Sequence, residues 1–192
     1  MTPYKARQAA TILAEERLHV VAEYAKHLSQ ADLVEVLAVK GKAETAMGAA
    51  GAQVPFCGPD WQALEKAMTR LGYDPPTWAG LNLPRPGISP LPENGSQPGQ
   101  TTDRSSERLA ALVEAIDPIA VIALDRESWV ALKEAYRDWD APALDAWCYG
   151  GVAQVAGRCF LSVEGFLDSL ATEAGKQRSW AQLKQLKQAR RG

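Results

Sequence analysis

Apolar positions return every three or four residues from Thr11 through Ala14, Leu18, Val21 and Ala25 to Leu28, and Leu13, Val20 and Tyr24 widen the stripe. That spacing predicts an amphipathic helix over 3–29 with one face on a core. The pattern then changes: 31–39 is short, apolar and β-branched, as a buried strand is, and Gly41 breaks it. Leu64, Ala67, Met68 and Leu71 restore the helical period, with Asp60 as the expected cap and Gly72 as the stop. A weaker strand is predicted over 78–83. Residues 84–106 hold five of the twelve prolines among small polar residues, which predicts a long mobile loop.

Beyond the loop, 107–116 is predicted helical and Asp117-Pro118 ends it. Ile119 to Leu124 is too continuously apolar for a half-exposed strand, so a central strand covered on both faces is expected. A helix over 126–136 puts Trp129, Leu132 and Tyr136 on one face, and a connection rich in glycine, with Gly150, Gly151 and Gly157, leads to a short strand over 158–162. Helices over 164–170 and 176–189 follow, the latter carrying Trp180, Leu183 and Leu186. Strands separated by helices predict an α/β fold, a three-layer α/β/α sandwich around a mainly parallel sheet of about four strands with right-handed crossovers. The helix of residues 1–30 is then an addition to a domain of residues 31–192, and no internal repeat is present.

Composition narrows the classes. A chain of 192 residues, 46 % hydrophobic and 23 % charged, suits one soluble domain with a full core, and its apolar runs are too short to cross a bilayer. MTPYKARQ leads into a charged helix and not an apolar signal core, so a cytoplasmic protein without membrane contact is expected. Cys57, Cys148 and Cys159 are odd in number and lack paired spacing, so neither a disulfide framework nor a cysteine-paired zinc site is expected. His19 and His27 share the first helix at a spacing that does not make a metal pair, and no cofactor or metal is expected. The net charge of −2 hides an asymmetry: 176–192 holds six basic residues and no acid, which leaves the preceding body at −8. Such a body is not built for indiscriminate binding to phosphates. Lys184, Lys187, Arg190 and Arg191 in the tail are the candidates for phosphate contact, which makes DNA a weak partner.

The segment 34–71 combines strand, small-residue loop, tight turn and helix, an order that puts a pocket outside the strand's carboxyl end. Gly41-Lys42-Ala43-Glu44-Thr45 follows the strand, and Val54-Pro55-Phe56-Cys57-Gly58 opens the helix. Leu81-Asn82-Leu83 with Arg85-Pro86 ends the second strand. LVEAIDPIAVIAL over 112–124 and GKQRSWAQLKQL over 175–186 complete the series. In order and context these landmarks resemble the uracil-DNA glycosylase superfamily, its small bacterial family 4 enzymes above all, across residues 32–188. The resemblance implies the family's α/β/α fold, with Phe56 placed to stack on a flipped base and Asn82 to read a pyrimidine edge. Anchoring the turn in the core is the alternative for Phe56, and a side-chain bond that stabilises its own turn is the alternative for Asn82.

Several residues depart from the family's pattern. Cleaving a glycosidic bond requires a carboxylate near the attacking water and a donor for the departing base. Lys42 stands where the loop acid would be, and a cation there opposes the developing positive charge of the sugar. Leu161 stands in the region of the family's donor and cannot donate, while Glu44 is a candidate substitute for the acid. No cysteine precedes Cys57, so the family's iron-sulfur cluster is not expected. The resulting expectation is a catalytically degenerate glycosylase-like protein, a binding or scaffolding subunit with a protein partner in a DNA repair or replication assembly. The competing expectation is an active DNA glycosylase using Glu44, Asn82 and Phe56. A nucleotide-binding regulator using the glycine-rich stretch 48–58 is a third, weakened by the lack of a Walker or dinucleotide fingerprint.

Overall fold

The computed structural model describes residues 4, 7, 8, 11 and 12, 34–41, 59–73, 77–83 and 100–189. Within them the apolar runs form a five-stranded sheet in the order β2-β1-β3-β5-β4. Its strands are β1 (Val36–Lys40), β2 (Trp78–Asn82), β3 (Ala120–Ala123), β4 (Val152–Val155) and β5 (Arg158–Ser162). β2, β1, β3 and β5 run parallel, and β4 returns antiparallel to β5. Every position of β1, β2 and β3 is buried, as the continuously apolar run at 119–124 leads one to expect of strands covered on both sides.

Alternation along the strands divides the core in two. Leu37, Val39, Val121, Ala123 and Phe160 pack against α2 (Gln100–Ile116), α3 (Arg126–Ala135) and α4 (Ala141–Ala146), through Leu112, Val113, Leu132 and Leu144. Val36, Ala38, Ala120, Ile122 and Leu161 point the other way. They meet Leu64 and Met68 of α1 (Pro59–Leu71), Phe166 of α5 (Phe166–Ser169), Leu183 of α6 (Glu173–Leu183) and Leu186 of α7 (Leu186–Ala189). Helices therefore cover both faces, and each fully buried Leu, Ile or Phe contributes about 1.5–3 kcal/mol. At the amino end of the sheet Arg158 binds both oxygens of Glu114 at 2.6 and 2.8 Å and Asp117 at 2.8 Å. Tyr136 donates to the same Glu114 at 2.8 Å, and burial, with the Glu114 bond and charge added, pushes its hydroxyl well above the usual tyrosine range. This network joins α2, α3 and β5.

Several boundaries differ from the expectations. β1 starts at Val36 and not at 31, and α2 begins at Gln100, inside the stretch expected to be loop. The connection rich in glycine contains β4, because Ala156 (φ 49°) and Gly157 (φ 79°) make a left-handed two-residue turn that folds 152–155 back on β5. The helix expected over 164–170 is the short α5, and the terminal helix is split into α6 and α7. Asp60 lies inside the first turn of α1 and not at the cap position before it; its Oδ2 accepts from Lys40 Nζ and its Oδ1 from Trp61 N–H at 2.9 Å. Gly72 does stop α1: at φ 89° its N–H donates to Thr69 O, and that of Tyr73 donates to Met68 O, both at 3.0 Å. Of the expected first helix, residues 4, 7, 8, 11 and 12 are described and helical, and Ile12 is buried in the core with Leu109 and Val113. The rest of 3–29 lies outside the described residues, as do 84–99.

Candidate functional site at the carboxyl ends of the strands

The sheet's register brings four strand ends to one edge. Lys40 pairs with Asn82, Val39 with Ala123, and Ala123 with Ser162, so Gly41, Asn82, Asp125 and Ser162 stand together along it. Loops that leave parallel strands at this edge are where α/β folds bind ligands.

β1 ends on a buried ion pair. Lys40 reaches Asp60 at 2.5 Å, with 5 % and 3 % of the side chains exposed, and so fixes the start of α1 to the end of β1. The next residue, Gly41, donates its N–H to both oxygens of Asp125, at 3.1 and 2.9 Å. Asp125 also caps α3 by accepting from Ser128 N at 2.8 Å, while Ser128 Oγ accepts from Asp125 N at 3.2 Å, a reciprocal capping box. Gly41 must be glycine for this approach: a Cβ there would collide with Glu127 Cβ and come within 2.9 Å of Asp125 Oδ1 and Ser128 N.

β5 ends on Ser162, fully buried, whose hydroxyl accepts from Gly150 N at 2.8 Å and lies 3.2 Å from Cys148 O as donor. Gln182 of α6 closes the same turn, its amide accepting from Glu164 N at 3.3 Å and donating to Gly150 O at 3.2 Å. Tyr149 accepts from Gly165 N at 2.8 Å and packs on Trp129 with ring centroids 5.6 Å apart. Burial pushes the Tyr149 hydroxyl above its ordinary value; the Gly165 bond opposes this, and the carboxylates of Asp125, Glu164 and Glu127 reinforce it. Asn82, at the end of β2, is 9 % exposed, and its Oδ1 is buried without a hydrogen-bond partner. Among the described residues no three His, Cys, Asp or Glu side chains gather into a set that could hold a metal.

Of the residues expected to form the site, Gly41 and Asn82 stand on this edge. Lys42, Glu44, Pro55, Phe56 and Gly58 lie outside the described residues, as do Cys57, His19 and His27. Leu161 is not in a loop: it lies within β5 with its side chain in the core, and Ser162, Val163 and Glu164 hold the strand's end instead. Lys184 and Lys187 are exposed, whereas Arg190 and Arg191 lie outside the described residues. Lys40, Asp60, Asp125, Ser162, Tyr149 and Gln182 were not singled out by sequence reasoning as site residues. Two of them carried a signal: a lysine closing an apolar strand, and Asp125-Arg126-Glu127-Ser128 directly after one, a spacing suited to a helix cap.

Compared with models of known protein families and with curated proteins, the chain matches none. No helix among the described residues is long and apolar enough to cross a membrane.

Proposed function

We propose that the chain is a protein of the uracil-DNA glycosylase-like fold whose site binds without cutting, and that it serves as a binding subunit in a DNA repair or replication assembly. The observation that carries the reading is what the strand ends do with their polar groups. Asp125, the carboxylate nearest the end of β3, is held by Gly41 N–H and Ser128 N–H, and the Ser162 hydroxyl is held by the turn at 148–151. A general base needs a lone pair aimed at water or substrate, and a donor needs a proton aimed at the leaving group. Both residues instead fasten one chain segment to another. The Oδ1 of Asn82 is buried with no hydrogen-bond partner among the described residues, so an N–H donor brought to it, such as the edge of a base or an amide of a partner, would satisfy it. Lys42 adds a cation next to Gly41 in the sequence, where acid catalysis of this kind calls for a carboxylate.

The test is uracil excision from single- and double-stranded DNA by the purified chain. No abasic sites are expected at catalytic protein levels, since removing such a group costs on the order of 10² to 10⁴ in rate. Turnover abolished by Glu44→Gln would overturn the reading in favour of an active glycosylase.

A further inference from the structure

β4 closes one side of the sheet, and its ladder to β5 uses only half of its backbone. Ser162 N–H donates to Gly151 O at 2.9 Å, while Cys159 N–H is directed to Ile119 O at 3.1 Å on the opposite side. The register sets Gln154 opposite Cys159 and Val152 opposite Leu161. In an antiparallel ladder, residues in such non-bonded pairs turn their N–H and C=O away from the neighbour. Val152 and Gln154 therefore present two donors and two acceptors along the outer edge, and among the described residues nothing bonds to them. Both side chains are exposed, Val152 by 40 %. Ala143 of α4 packs with Ala153 and Val155 against the core, on the face of β4 opposite to the exposed Val152 and Gln154.

Edges of this kind are usually blunted by lysine, proline, charge or a bulge. The stretch 150–157, Gly-Gly-Val-Ala-Gln-Val-Ala-Gly, has no charge and no proline, and its register with β5 is continuous. We propose that β4 pairs with β4 of a second copy of this chain, antiparallel about a twofold axis at Ala153, joining two sheets into one. In that register Val152 of each copy faces Gln154 of the other. The two outward residues exchange four hydrogen bonds in all, and the small Ala153 on the axis lets the strands close. A foreign strand is a poorer fit, because specificity in strand addition comes from pockets for alternate side chains, and this edge offers a valine, a glutamine and no charge. Self-pairing needs none of these: a twofold interface is complementary to itself.

Sedimentation equilibrium of the full chain, from micromolar to millimolar, tests the proposal against the monomer mass of 20.8 kDa. A concentration-dependent dimer is expected. Gln154→Pro removes an outward N–H while leaving the bonds to β5, and by symmetry it deletes two hydrogen bonds, so dimerisation should weaken about tenfold. The double variant V152K/Q154K should abolish the dimer, whereas V152K/Q154E, which sets opposite charges at each cross-strand pair, should keep it. Far-ultraviolet circular dichroism checks that each variant is folded. A monomer at every concentration overturns the proposal, and so does a dimer that Q154P and V152K/Q154K leave unchanged.

Discussion

At the scale of single residues, the end of β1 is built on contacts with little slack. Lys40 and Asp60 sit 2.5 Å apart in a region nearly sealed from water. Removing both charges from water is expensive, and their mutual attraction offsets that cost only while the pair is intact. Lys40→Met should therefore destabilise the fold by about 3–5 kcal/mol, because it leaves the Asp60 carboxylate in the interior without this cation, and Asp60→Leu should also destabilise it. The double variant K40M/D60L should lose clearly less than the sum of the singles, and urea unfolding of all four proteins measures the difference. Single losses below about 1 kcal/mol would show that water reaches the pair. Little of this was legible in the sequence, since Lys40 lay just past the expected strand and was not singled out, and Asp60 was expected to be a cap. Which acid meets which lysine is decided by how α1 returns along the sheet, twenty residues later in the chain. Asn82, by contrast, was singled out through the family-like order of motifs, and the structure places it at the carboxyl end of β2, although its unpartnered oxygen was not legible.

Among the elements, what periodicity governs was read well: β2, β3, β5, α1 and α3 stand close to their expected places. β4 was missed because a hairpin's strongest local sign is Asn-Gly or Asp-Gly, and here the turn is Ala156-Gly157 between short, small-residue strands. The structure holds Ala156 at φ 49°, a conformation its Cβ disfavours by roughly 1–2 kcal/mol. Nothing lies within 4 Å of a Cβ built on the neighbouring Gly157, so the turn itself is uncrowded. Ala156→Asn should thus raise stability by about 1 kcal/mol, since asparagine tolerates the left-handed region that a type I′ turn demands at its first position. Denaturant unfolding reads this directly, with an unchanged slope showing that the gain is local. A loss of stability would mean that the turn is not left-handed in solution.

For the whole molecule, charge is the property that sequence conveys most directly and that tertiary structure modifies most simply. The body at −8 and the tail at +6 remain, yet two tail cations have acidic partners: Lys176 lies 2.7 Å from Glu173, and Arg178 lies 3.5 Å from Glu164. Both pairs are exposed, so each is weak and screened by salt. Lys184, in the turn after α6, and Lys187, in α7, are both exposed and are the candidates for phosphate contact among the described residues of the tail. If the tail carries whatever DNA affinity the chain has, the double variant K184A/K187A should weaken binding at low salt. It should also flatten the plot of log affinity against log salt by about 1.4 for single strands, or roughly 0.7 for each phosphate that is no longer neutralised. Fluorescence anisotropy of a labelled oligonucleotide over a salt series measures the slope. An unchanged slope, with tight binding that survives high salt, would move recognition from the tail to the carboxyl edge of the sheet. Asn82→Ala should then be the change that weakens it, because, if Asn82 Oδ1 accepts from a base edge, its removal would lower affinity without altering the number of released counterions.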